Sequence, residues 1–176
     1  MKHITLLFIG FALSFTASAQ IGGWNPELEN ESREAMSGMI QDVPKLQSFY
    51  DKAYGMAVFP KITKAGFVLG GAGGNGIVYK HKEVIGSAKL KQASFGLQAG
   101  GQQYSEVIFF ENKASFDRFI NGNLKFNAQA SAIAITEGAS VDVAYQDGVA
   151  VFTKVKGGLM LEASIGGQHF KYEPKK

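Results

Sequence analysis

Few side chains in this 176-residue chain could carry covalent chemistry. There is no cysteine, which removes disulfides, thiolate metal sites and a thiol nucleophile together. The three histidines, His3, His81 and His169, are far apart and have no acidic neighbours at metal-ligand spacing. Neither H-E-x-x-H nor G-x-S-x-G occurs. Gly71-Ala72-Gly73-Gly74-Asn75-Gly76 fits the dinucleotide pattern G-x-G-x-x-G. That pattern needs a helix after it and an acid further on, and Ile77-Val78-Tyr79 reads as strand. The phosphate-loop form fails as well, because Ile77 stands at the lysine position. Gly73–Gly76 is therefore read as a hairpin turn. Glu106, next to the apolar run Val107–Phe110, is the acid most open to a raised pKa. A meeting with Glu111 would need the fold to bring them together. The expectation is a protein that is not an enzyme, with no cofactor and no metal.

The lysines offer more. Between Lys45 and Lys91 lie eight lysines against two acids, Asp51 and Glu83. The whole chain carries a formal charge of only +3, so the rest is net acidic. Such asymmetry suits an anion-binding face, with Lys61, Lys64, Lys80, Lys82, Lys89 and Lys91 as its candidates. Solvated lysines scattered over a sheet are the plainer alternative. Nucleic acid would suit the charge, but no RNP, KH or helix-turn-helix pattern is present.

The elements that must position these residues are mostly strands. Hydrophobic residues make up 45% and charged residues 19%, which indicates a globular chain, and the length suits one domain. Asn25-Pro26 reads as an N-cap followed by proline at the first helical position. Acids and a 3.6-residue apolar stripe follow, so a helix is expected to about Asp42, then a second over Lys45–Lys52. The acidic polar face of the first helix, with Glu27, Glu29, Glu31 and Glu34, suits packing on a sheet better than lying on anionic lipid. Tyr54–Phe59 reads as a strand stopping at Pro60, with a turn at Lys61–Ala65 and a strand region over Gly66–Tyr79. Lys82–Lys91 gives another strand. Ala93–Phe110 alternates and then becomes wholly apolar, and is expected to be a central strand pair. Asn112–Asn121 reads as a short helix closed by Gly122. From Leu124 the pattern is a meander, with turns at Asp147-Gly148, Gly157-Gly158 and Gly166-Gly167, and a frayed tail at Glu173–Lys176. The fold class expected is α+β and mostly β: a curved antiparallel sheet closed as a barrel or folded as a sandwich, with two N-terminal helices and a short helix between strands.

The N-terminus reads as an export signal. Ile4–Phe15 is apolar but short for a membrane span, and Ala17-Ser18-Ala19 fits a cleavage site before Gln20. Residues 1–19 are thus expected to be a signal peptide and 20–176 one domain, exported to the periplasm or secreted, with a peripheral place on the outer membrane as the alternative.

Three segments resemble a known family. Phe59-Pro60-Lys61-Ile62-Thr63-Lys64-Ala65-Gly66-Phe67 resembles its F-P-x-x-x-K-A-G-F opening. Ala93–Gln102 resembles its S-x-G-L-Q-x-G-x-Q centre, and Lys156–Gly167 its terminal K-G-L segment. The family is the SYLF-domain group, and the likeness covers roughly Ala53–Tyr172. It implies lipid binding through basic residues, with Lys61 and Lys64 in the matching motif, and a role at membranes. This chain departs from the eukaryotic pattern in its acidic N-terminal helix and in having no SH3 partner domain. Anionic phospholipid, and not actin, is therefore the implied partner. The alternatives are a structural or protein-interaction module of the cell envelope, a small outer-membrane β-barrel, and an enzyme acting on envelope lipid.

Overall fold

The computed structural model describes residues 23–126, 131–134, 144–157, 163–164 and 167–176. Helix α1 spans Pro26–Asp42, and the Asn25 side chain accepts from the Leu28 N–H at 2.8 Å, as an N-cap should. Glu27 and Glu29 in the first turn complement the positive end of its dipole. Pro44 follows the helix end, and α2 runs over Leu46–Lys52.

Strands β1 (Gly55–Lys80) and β2 (Glu83–Phe110) form one antiparallel hairpin. At 26 and 28 residues they are several times the usual strand length. The hairpin turn is at His81-Lys82, both at positive φ, and not at Gly73–Gly76. Pro60 does not stop β1, and Lys61–Ala65 is strand and not turn. Ala93–Phe110 is likewise part of a single strand and not a strand pair. Register shifts at Phe59/Ile62, Gly66/Val68 and Val78/Tyr79 locate the irregularities in the long ribbon.

The ribbon folds back on itself. The His81 N–H donates to the Tyr54 carbonyl at 3.1 Å, so the hairpin turn returns to the start of β1. Gly76 lies against the first half of the same strand: a Cβ there would sit 2.5 Å from the Val58 carbonyl oxygen. Glycine allows this approach because nothing projects between the two backbones.

Along its edge away from β1, β2 serves two partners. Its first part, Gly86–Gln92, pairs with β6 (Gln168–Pro174), and its last part, Gln103–Phe110, pairs with β4 (Val149–Gly157). β3 (Ser131–Ala134) then runs parallel to β4 and pairs with β5 (Ala163–Ser164). The sheet is therefore mixed and not all antiparallel. Among the described residues it also does not close into a barrel, so that half of the expectation is not supported, while a curved or sandwiched sheet is compatible with the pairing. The reason lies in β2: shared between β4 and β6, it forks the sheet into two arms. Glu173 and Pro174 belong to β6, and the Lys175 N–H donates to the Ile85 carbonyl, so the tail is anchored and not frayed.

Helix α3 (Lys113–Ile120) is capped by the Asn112 side chain, which accepts from the Ser115 N–H at 3.0 Å. Two cores result. Phe110, Phe116, Phe119 and Phe170 lead the one closed by α3, and Met39, Leu46, Phe49, Phe109 and Phe152 the one under α1 and α2. The strand expected over Ala139–Tyr145 lies mostly outside the described residues, as does most of the one over Leu159–Ile165.

Candidate functional site

The alternation of β2 and β6 sorts their residues cleanly. Ala88, Leu90 and Gln92 are buried, and Lys89 and Lys91 between them are exposed. On β6 Gln168 and Phe170 are buried, and His169 and Lys171 are exposed. In register, Lys89 is opposite Lys171 and Lys91 opposite His169. Four basic side chains thus share one outer sheet face. On the other side of β2, Lys89 pairs with Asn75 and Lys91 with Gly73, which carries the same face onto β1. Lys171 also contacts Glu173 at 3.1 Å.

Lys61 joins this surface from the other half of β1. The fold-back places Gly74 against the Lys61 backbone, and Lys61, Thr63 and Asn75 line a polar cleft of about 220 Å³ below the start of α1. Glu27 and Glu31 of α1 line the same cleft, so its charge is mixed. Lys64 is half-buried in β1 opposite Gln102.

Lys80 and Lys82 belong elsewhere. They flank the hairpin turn, where Lys80 Nζ is 5.6 Å from the centre of the Tyr54 ring and Lys82 Nζ 4.8 Å from that of Tyr50. Lys82 also pairs with Asp51 at 2.8 Å. That bond holds the Lys82 ammonium pKa above, and the Asp51 carboxyl pKa below, their ordinary values. The six lysines named from sequence therefore divide: Lys61, Lys89 and Lys91 lie on or beside one basic face, Lys64 is half-buried in β1 opposite Gln102, and Lys80 and Lys82 brace the turn. His169 and Lys171 were missed because their opposition to Lys91 and Lys89 is a pairing across 78 and 82 positions of chain.

A second polar group is internal. Glu106 is fully buried, opposite Phe59 on β1 and Thr153 on β4. Its carboxylate accepts from Gln168 Nε2 at 2.9 Å, and burial pushes its pKa up to about 7, with the Gln168 bond a smaller opposing influence. Glu106 Oε1, Thr153 Oγ1 and Gln168 Oε1 are buried without a hydrogen-bond partner among the described residues. Tyr104, two residues before Glu106, is buried too, and its phenol pKa is likewise raised by burial. Glu111, by contrast, is exposed. Among the described residues no group of three or more His, Cys, Asp or Glu side chains could hold a metal ion.

The outward lysines bear on the membrane-barrel alternative. A membrane-spanning barrel needs a closed ladder and an apolar outer belt. Among the described residues the ladder is open, and Lys89, Lys91, His169 and Lys171 are exposed. Among the described residues no helix is long and apolar enough to cross a membrane.

Comparison with known proteins places the chain. The family model described as "Las17-binding protein actin regulator" (Ysc84) matches residues 91–174, from the end of the first β2–β6 pairing to the end of β6. The chain is also 31% identical over 156 residues to "Beta cell expansion factor A" of Aeromonas veronii. That alignment takes in 83% of this chain and 59% of the relative, so the chain spans well under two thirds of the relative's length. The matched family is one of binding domains, linked to actin and to lipid. Residues 91–174 of the chain thus match the Ysc84, or SYLF-domain, family.

Proposed function

We propose that this protein is an exported, non-enzymatic domain that binds anionic lipid through the outer face of β2 and β6. The observation that carries the reading is the four-residue basic patch of Lys89, Lys91, His169 and Lys171, with Lys61 beside it across Asn75. Phosphate headgroups are the anions a flat, solvent-facing patch of this kind suits, because it can meet a surface without enclosing a ligand. Each lysine close to an anionic membrane contributes about 1 kcal/mol, so the patch gives salt-sensitive binding in the range of a few kcal/mol. Export rests on the apolar segment Ile4–Phe15 and the small residues before Gln20.

Co-sedimentation of the protein with vesicles, anionic against zwitterionic, tests the reading. Binding is expected with phosphatidylglycerol vesicles at low salt, and should be lost in Lys89→Glu with Lys91→Glu. Unchanged binding in that double variant would refute the assignment. The same comparison for Lys61→Glu with Lys64→Glu measures what the opening motif adds.

A protein-docking reading has support from the family description, which is that of a Las17-binding protein. If vesicles do not bind and one stoichiometric protein is recovered from cell-envelope extract, that reading replaces the first.

A further inference from the structure

The polar cleft below the start of α1 has two walls of opposite charge. Helix α1 supplies Glu27 and Glu31, four residues apart and so on one side of the helix. Strand β1 supplies Lys61 and Thr63, two residues apart and so on one face of the strand. All four residues are exposed, so their polar ends are open to an occupant.

The chain does not use these charges on itself. Among the described residues Glu27, Glu31 and Lys61 take part in no ion pair and no side-chain hydrogen bond. Glu29 on the same helix differs: Arg33 holds it at 2.7 Å and the Trp24 indole N–H at 2.8 Å. Like charges four apart weaken a helix, and a cation between Glu27 and Glu31 removes that repulsion. A bare anion would meet Lys61 but face two carboxylates. A bare cation would meet the carboxylates but face Lys61. An occupant with an ammonium at one end and a negative charge at the other satisfies both walls.

Size and spacing narrow the choice. The cleft measures about 220 Å³. At about 30 Å³ for each water-sized unit, it holds about seven or eight heavy atoms. Lys61 does not touch either carboxylate, so the two charges of the occupant must lie apart. An α-amino acid carries both on one carbon. An ethanolamine phosphodiester separates them by a two-carbon arm. A primary ammonium has N–H donors for the carboxylates, and a quaternary one has none.

We infer that this cleft binds the ethanolamine phosphodiester group, its primary ammonium between Glu27 and Glu31 and its phosphate at Lys61 and the Thr63 hydroxyl. The group occurs free, as glycerophosphoethanolamine, and as the headgroup of phosphatidylethanolamine. The site shares only Lys61 with the surface proposed for anionic lipid, and needs neither Lys89 nor Lys91.

Titration of the full chain with glycerophosphoethanolamine, followed by nuclear magnetic resonance, tests it. Saturable shifts are expected at Glu27, Glu31, Lys61 and Thr63. Glycerophosphocholine, whose ammonium carries no hydrogen, should bind about ten-fold more weakly. Glu27→Gln with Glu31→Gln keeps good helix formers at exposed positions, and should weaken binding about ten-fold with the melting temperature unchanged. Lys89→Gln with Lys91→Gln should leave binding unchanged, so failure of this site and failure of the vesicle-binding surface are told apart. Flotation in high salt identifies the source. Retention on phosphatidylcholine vesicles only when they contain phosphatidylethanolamine marks the lipid headgroup, and saturable binding of the soluble compound without such retention marks the free phosphodiester. No saturable shift with glycerophosphoethanolamine overturns the inference. So does equal binding of the choline compound, or binding that survives the Glu27 and Glu31 substitutions.

Discussion

Gln168 on β6 donates its side-chain amide to the Glu106 carboxylate at 2.9 Å, joining residues 62 positions apart inside the fork of the sheet. Glu106 sits on the part of β2 that pairs with β4, and Gln168 on the strand that pairs with the other part of β2. The bond thus links the two arms from within. Its acceptor is an acid whose pKa burial raises from 4.5 to about 7.

The sign of the resulting pH dependence is fixed. Between those two values the unfolded chain has released the Glu106 proton and the folded chain keeps it. Folding stability is therefore fully retained below the unfolded pKa and falls as pH rises through the folded one, by about 3 kcal/mol in all. Urea unfolding from mildly acidic to mildly alkaline pH should show this decline. In Glu106→Gln the decline should largely disappear, and the variant should match or exceed the parent above neutral pH. A parent whose stability rises over that range would show Glu106 to be ionised in the folded protein.

Gly76 tests the fold-back. A Cβ there meets the Val58 carbonyl oxygen at 2.5 Å and the Phe59 ring at 2.7 Å. Both belong to the backbone or core, and neither is the far end of a flexible chain. Gly76→Ala should destabilise by about 2–3 kcal/mol, as overpacking does. Gly73→Ala is the control, because its nearest atom is 3.6 Å away. Equal thermal shifts in the two variants would show that the halves of β1 are not in contact.

These two sites show what sequence could and could not convey. The helices were legible because their signals are local: Asn25-Pro26 and Asn112 are caps written within a few residues of what they cap. Glu106 was legible as an acid beside an apolar run. The hairpin turn was misread, since Gly73–Gly76 has the composition of a turn but is used for close backbone approach. The true turn, His81-Lys82, carries residues that do not favour positive φ and is held by the Tyr54 carbonyl and Asp51. The basic face was half legible: lysines alternating on β2 can be read, but their union with His169 and Lys171 depends on register across the chain.

The Asp147-Gly148 turn was expected and is present, with φ of 52° and 75° at consecutive residues. Gln146 and Val149 exchange backbone hydrogen bonds at 2.9 and 3.0 Å across it. Both central residues are left-handed, as in the turn type that matches the twist of a hairpin. Gly148→Ala puts a Cβ 3.2 Å from Ser115 and strains the backbone as well. A loss of about 1–2 kcal/mol is expected in denaturant unfolding, and Asp147→Gly should cost less. Should Gly148→Ala be neutral, the turn does not hold this conformation in solution.

The division of the lysines leads to a quantitative test of where anionic surface is met. Lys89 and Lys91 are exposed with their side chains on the basic face, while Lys82 is engaged with Asp51 and the Tyr50 ring. An approaching membrane gains the full charge of the first pair but must share the charge of Lys82 with a carboxylate. Lys89→Gln with Lys91→Gln should therefore remove about 2 kcal/mol of vesicle binding, about thirty-fold in partitioning. Lys80→Gln with Lys82→Gln removes the same formal charge and should weaken binding far less. Because both double variants change net charge equally, a matching loss in the two would mean that total charge and not the β2–β6 face governs attraction. Raising salt should narrow the gap between parent and Lys89/Lys91 variant, as screening acts on the exposed charges.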